Sequence, residues 1–134
     1  MIVADASVVV DLLLGPGSEA GDLLSDHLAA GDVVCAPHLV DAEVGQVLRR
    51  LAARGVVTDD EARSMLDILD ALPIERYPHT GLMLRAFAMR GNVTVYDALY
   101  LALAEAIERP LLTGDGRLAQ VPGCAAEVRV VGVG

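Results

Sequence analysis

Apolar positions along the 134-residue chain follow two periods. Short unbroken runs read as buried strands: Ile2 to Asp5, Val33 to Ala36 ended by Pro37, Ile74 to Tyr77, Leu111 to Thr113 and Ala126 to Val131. Between them the spacing turns helical. Ser7 to Leu14 predicts a turn or two of helix, ended by the GPG at 15–17. Glu19 to Ala30 carries apolar residues at 20, 23, 24 and 28. Leu39 to Ala53 puts Val40, Val44, Val47, Leu48 and Leu51 on one face, with Gly55 as its stop. Thr58, followed three residues on by Glu61, is a capping-box pattern for a helix running to about Ala71. His79 to Arg90 predicts a helix stopped by Gly91, and Gly116 to Ala119 a short helical turn. The stretch VYDALYLALAEA, ended before Pro110, predicts a helix buried on several sides. The alternation predicts an α/β fold of three layers: a central parallel sheet of four to five strands with helices on both faces. No repeat, low-complexity tract or linker divides the chain, so residues 1–134 read as a single domain.

In such a sheet, ligands bind beyond the carboxyl ends of the strands. Asp5 ends the first strand, and Asp115 follows the LLT strand in the turn TGDG. Glu43 lies about one turn into the helix after the second strand. With Val40 at the centre of that helix's apolar face, Val47 falls about 20° away and Glu43 about 60° away, on the same side. Asp97 opens the VYDALYLALAEA helix. Taken alone it reads as a cap or a dipole partner, worth about 0.3–1 kcal/mol, and Thr94 could cap equally well. Four acids at one sheet edge point to more. Partly desolvated carboxylates brought together cannot all stay ionised without a cation. An all-oxygen set without His or Cys suits Mg²⁺ or Mn²⁺, which keep several waters and activate one against a phosphate.

Charge first argues against a phosphate substrate. The formal net charge is −9, and the basic residues are all Arg, with no Lys in the chain. The missing Lys excludes P-loop and Schiff-base chemistry. A protein this acidic repels nucleic acid unless cations intervene. A metal-filled acidic pocket resolves the conflict, because it meets phosphate as a locally positive site. Arg49, Arg50 and Arg54 cluster, and Arg85 and Arg90 lie in another segment. No apolar run approaches the ~18 residues of a spanning helix, so no membrane partner is expected. The N-terminus has no basic n-region and reads as a poor signal peptide. Cys35 and Cys124 stand alone, as expected of buried or half-buried thiols in a reducing cytoplasm.

Four segments in order, IVADASVVVDLL, LVDAEVGQVLRRL, VYDALYLALA and LLTGDGRL, resemble the PIN-domain nucleases. More closely, they resemble the VapC toxins of type II toxin–antitoxin pairs. The resemblance covers nearly the whole chain. It implies a Mg²⁺- or Mn²⁺-dependent endoribonuclease acting on translation-related RNA, a homodimer and a cognate antitoxin. Promoter DNA would be met only through that antitoxin. Position by position, Asp5, Glu43, Asp97 and Asp115 match the acidic quartet. The resemblance implies Asp5, Asp97 and then Asp115 as metal ligands, and Glu43 as ligand to a second metal or orienter of the attacking water. Ser7 and Thr113 match hydroxyls that hold carboxylates or phosphate. Arg117 stands where many relatives carry a further acid, which bears on a second metal site, and it could contact an RNA phosphate.

Other residues carry plainer expectations. Asp41 reads as solvated or capping, and Asp59 and Asp60 as favourable charges opening a helix. His27, His38 and His79 show no ligand spacing. Tyr96 and Tyr100 read as packing residues rather than base-stacking platforms. From the residues alone two other functions stay open. One is a phosphohydrolase acting on small phosphate esters. The other is a non-catalytic regulatory or binding module whose acids are only caps.

Overall fold

The computed structural model describes residues 1–132; the last two residues of the expected 1–134 domain lie outside that range. Five strands, β1 (Ile2–Ala4), β2 (Val34–Pro37), β3 (Ile74–Tyr77), β4 (Leu111–Thr113) and β5 (Val128–Val130), form one sheet. Its order is β3-β2-β1-β4-β5, and every pairing is parallel. The helices are α1 (Ala6–Leu14), α2 (Glu19–Ala29), α3 (Leu39–Ala53), α4 (Asp59–Ala71), α5 (Met83–Ala88) and α6 (Val95–Ile107). Gly116–Gln120 forms a 3-10 turn.

The strand order fixes the layers. From β1 to β2 to β3 the chain advances in one direction through α1–α4. It then returns past β1 to β4 through α5 and α6. Right-handed crossovers put the two sets of helices on opposite faces. The packing agrees: α1 rests on α2, α3 and α4, while α6 rests on α5, β1, β2 and β4. The strand order therefore reverses between β1 and β4, and this is the edge at which open α/β sheets bind ligands.

The three central strands are buried throughout, as their unbroken apolar runs require, and β3 and β5 carry the exposure of the sheet edges. Residues 98 to 104 of α6 are all buried. Helix propensity does not set this; burial against the sheet does. Among the described residues no helix is long and apolar enough to cross a membrane.

Several boundaries differ from the sequence expectation: the last strand, expected over Ala126–Val131, is Val128–Val130, and two further differences have a local cause. Pro37 closes β2 rather than interrupting it, in register with Tyr77. Its missing N–H costs nothing there, because the next donor, His38 N–H, reaches the Tyr77 carbonyl at 2.9 Å. The helix expected over His79–Arg90 shortens to Met83–Ala88. Its first residues turn instead, with Leu82 N–H donating to the His79 carbonyl at 2.8 Å. The His79 ring is engaged elsewhere, as described below.

One glycine marks a close approach. A Cβ on Gly21 of α2 would stand 2.8 Å from the Asp11 carbonyl oxygen of α1. Gly21→Ala should therefore lower stability by about 1–3 kcal/mol in urea unfolding, despite the better helix propensity of Ala. Gly45→Ala in α3 meets nothing within 4 Å and should raise stability by about 0.5–1 kcal/mol. Equal responses at the two positions would refute the close packing of α1 on α2.

Candidate active site

The cleft at the switch point measures about 500 Å³, and Asp5, Ser7, Glu43, Asp97, Asp115 and Arg117 all line it. Four separate segments thus deliver the four acids to one place. Thr113, fully buried, stands behind them at the end of β4.

Asp5 caps α1 and is only 8% exposed, too buried to remain charged without partners. Its Oδ1 accepts from Ser7 Oγ at 2.6 Å and from Val8 N–H at 3.2 Å. Its Oδ2 accepts from the Thr113 hydroxyl, which links β4 to β1. Ser7 Oγ in turn accepts from Gly114 N–H at 3.3 Å, and Thr113 Oγ1 from Asp115 N–H at 3.0 Å. Burial pushes the Asp5 carboxyl above the usual carboxylate range. The Ser7, Thr113 and Val8 hydrogen bonds oppose this, and the Asp97 charge adds to it.

Glu43 lies on a stripe of α3 with Gln46, Val47 and Arg50, which all line the cleft, while Val40, Val44 and Leu48 face the core. The Tyr100 hydroxyl, in a side chain 1% exposed, donates to Glu43 Oε1 at 2.6 Å. Burial again raises the Glu43 carboxyl, opposed by Tyr100 and reinforced by Asp97 and Asp5. Burial and the Glu43 contact drive the Tyr100 phenol well above its ordinary value, so it stays a donor.

The start of α3 is tied down from the β3 side. Leu39 N–H donates to His79 Nε2 at 2.8 Å, supplying the cap that His38 does not. Asp41 accepts a fork from Arg76 at 2.7 and 2.8 Å. Asp41, in the first turn of α3 with its side chain 42% exposed, is solvated as expected and is an ion-pair partner as well.

Asp97 is not the cap of its helix. Thr94 takes that role, its hydroxyl accepting from Asp97 N–H at 3.1 Å. The Asp97 carboxyl is raised chiefly by burial and then by the Asp115 charge, with the Thr94 hydrogen bond and the Arg117 charge pulling the other way. Asp115 is held below the usual range by the Arg117 guanidinium beside it. That contact is a fork at 2.6 and 3.0 Å.

The donor set fits a hard divalent cation, since it offers oxygen alone and its acids repel one another. Among the described residues no group of three or more Asp, Glu, His or Cys side chains is placed to hold a metal ion. Mg²⁺ is commonly held by one or two carboxylates with water and substrate phosphate making up the rest, so a smaller protein set than three is what such an ion would need here. All four acids line the cleft, with Asp115 engaged by Arg117, Glu43 by Tyr100 and Asp5 by Ser7, Val8 and Thr113.

Tyr100 is the contributor that sequence reasoning missed, although its position one turn after Asp97 placed it on the same side of α6. Gln46 and Arg50 follow Glu43 at helical spacing and were equally within reach of that test.

The PIN domain family model matches residues 2–123. The chain is 45% identical to Ribonuclease VapC1 of Mycobacterium tuberculosis over 96% of both proteins. It is 38% identical to Ribonuclease VapC9 of the same organism over 98% of both. Among solved structures it resembles a chain of VapBC2 from Rickettsia felis, bound to a DNA fragment from their promoter. That match has a TM-score of 0.71 and 17% identity, over 98% of this chain and 99% of the other.

Asp97 predicts a pH effect on stability. Because its folded-state carboxyl is raised, the folded protein holds that proton more tightly than the unfolded chain does. Ionisation therefore costs stability above the folded value and nothing below the ordinary carboxylate range. In chelator, Asp97→Asn should raise the melting temperature by a few degrees at pH 7, and the gain should shrink as pH falls toward 4. A melting temperature unchanged or lowered at pH 7 would remove the repulsion from the account.

Proposed function

This chain belongs to the PIN-domain family, among the VapC ribonucleases, and we propose that it is the toxin of a VapBC-type toxin–antitoxin pair, cutting RNA by metal-assisted hydrolysis. The observation that carries the reading is the convergence of Asp5, Glu43, Asp97 and Asp115 on one cleft at the sheet's switch point. The VapC1 and VapC9 relatives are named as ribonucleases and support RNA as the substrate. Translation-related RNA in the cytoplasm is the expected target. The Rickettsia felis complex supports an antitoxin partner, with promoter DNA reached through it.

Asp5 and Asp97 would hold Mg²⁺ or Mn²⁺, with Asp115 joining when Arg117 releases it. A bound divalent cation supplies a polarised phosphate and a water acidic enough to attack it near neutral pH. Glu43 would orient a water in the cleft and accept its proton, a role its raised carboxyl suits. The Tyr100 hydroxyl fixes the Glu43 carboxylate and leaves its second oxygen for the water. Ser7 and Thr113 hold Asp5 in one orientation. Arg117, 82% exposed, can turn from Asp115 to a phosphate oxygen.

Purified protein should cleave total cellular RNA at discrete sites with Mg²⁺ or Mn²⁺ and not with chelator. Asp97→Asn should lose at least about a hundredfold in rate, and Tyr100→Phe about tenfold. Cleavage that persists in chelator, or in Asp97→Asn at full rate, would sink this assignment.

A homodimer is part of the same proposal. On α5, Leu84 is 92% exposed and Phe87 54% exposed, with Met83 beside them. A second copy would cover this apolar face. Leu84→Glu should then convert a dimer to a monomer in sedimentation. A dimer that survives the substitution places the interface elsewhere.

A further inference from the structure

A second cleft of about 400 Å³ adjoins the first, lined among others by Arg90, Asn92 and Thr94 and sharing Asp97 and Arg117 with it. The shared residues make the two clefts halves of one groove. The second half holds no acid besides Asp97. Its cations matter in a chain of net charge −9. Arg76, Arg85, Arg117 and Arg129 are each in an ion pair; among the described residues Arg90, like Arg49, Arg50, Arg54, Arg63 and Arg109, is in none, and of these Arg90 alone lines the second cleft. Its guanidinium is positioned all the same. One N–H donates to the Phe87 carbonyl at 3.1 Å, and the group lies 4.4 Å above the Phe87 ring. An arginine held in this way loses little freedom on meeting an anion and keeps further N–H groups for it.

We propose that this second cleft is the subsite for a phosphodiester flanking the scissile one on a single RNA strand, with Arg90 as its anchor. The inference rests on the ribonuclease reading of the neighbouring cleft. An RNA strand leaving the acidic centre is a polyanion beside an acidic protein, and it needs fixed positive charge at the next phosphate. Arg117 lines both clefts, and Asn92 adds an amide donor to the lining of the second. Aromatic stacking is not required, so this contact sets register along the backbone rather than base choice.

The test is fluorescence anisotropy with a labelled decauridylate in chelator, where nothing is cleaved, repeated over a salt series. Arg90→Ala should weaken binding about tenfold and flatten the slope of log K against log salt by about one unit. Arg90→Lys should keep the slope. Arg109→Ala, in a separate cavity, should match the unmodified protein, and circular dichroism should show all three variants folded. An Arg90→Ala protein that binds with unchanged affinity and slope overturns the subsite and leaves the ribonuclease reading intact. If the unmodified protein neither binds this RNA nor cleaves total RNA with metal, both fall.

Discussion

The hydrogen bond from Thr113 to Asp5 joins two central strands at the point where the sheet reverses its order. Much of the cleft follows from it. Asp5 is too buried to be tolerated as a lone charge, and Thr113 gives it a donor from the neighbouring strand. The same hydroxyl oxygen accepts from Asp115 N–H and so sets the turn that carries the fourth acid. Ser7 does the equivalent on the other oxygen and takes Gly114 N–H. Two small hydroxyls thereby fix the spacing between the end of β1 and the turn after β4.

Around that link the protein neutralises its acids by different means. Asp115 has a guanidinium, Glu43 a phenol, and Asp5 two hydroxyls and an amide. Asp97 has the capping threonine and the charge of Arg117 against both burial and Asp115. Repulsion is thus distributed unevenly, and it is left standing at the carboxylate that faces both halves of the groove. Unrelieved repulsion of this kind costs the folded state stability.

The element order was legible because each element carries its own period, and buried parallel strands write themselves as unbroken apolar runs. The acids were legible too, since strand ends mark the ligand edge of a parallel sheet. What escaped were partnerships. Tyr100 and Glu43 are 57 residues apart, Leu39 and His79 40, and Arg76 and Asp41 35. No local rule ties such pairs together. Each depends on side chains meeting only after the sheet has assembled. The same cause shortened α5, whose expected first residue, His79, is drawn away to the start of α3. The Arg117 fork was close in sequence, but its geometry depends on the 3-10 turn that follows Asp115.

The pairing of β1 with β4 also bears on synthesis. The first strand leaves the ribosome well before the fourth, because the hydroxyl that completes Asp5 is 108 residues further along the chain. Until β4 has emerged, β1 has a neighbour on one side only, and the cleft has neither its Thr113 brace nor its fourth acid. The acid-lined cleft is therefore among the last features a nascent chain can acquire. A nascent chain therefore lacks the complete cleft until nearly all of its length has been released from the tunnel.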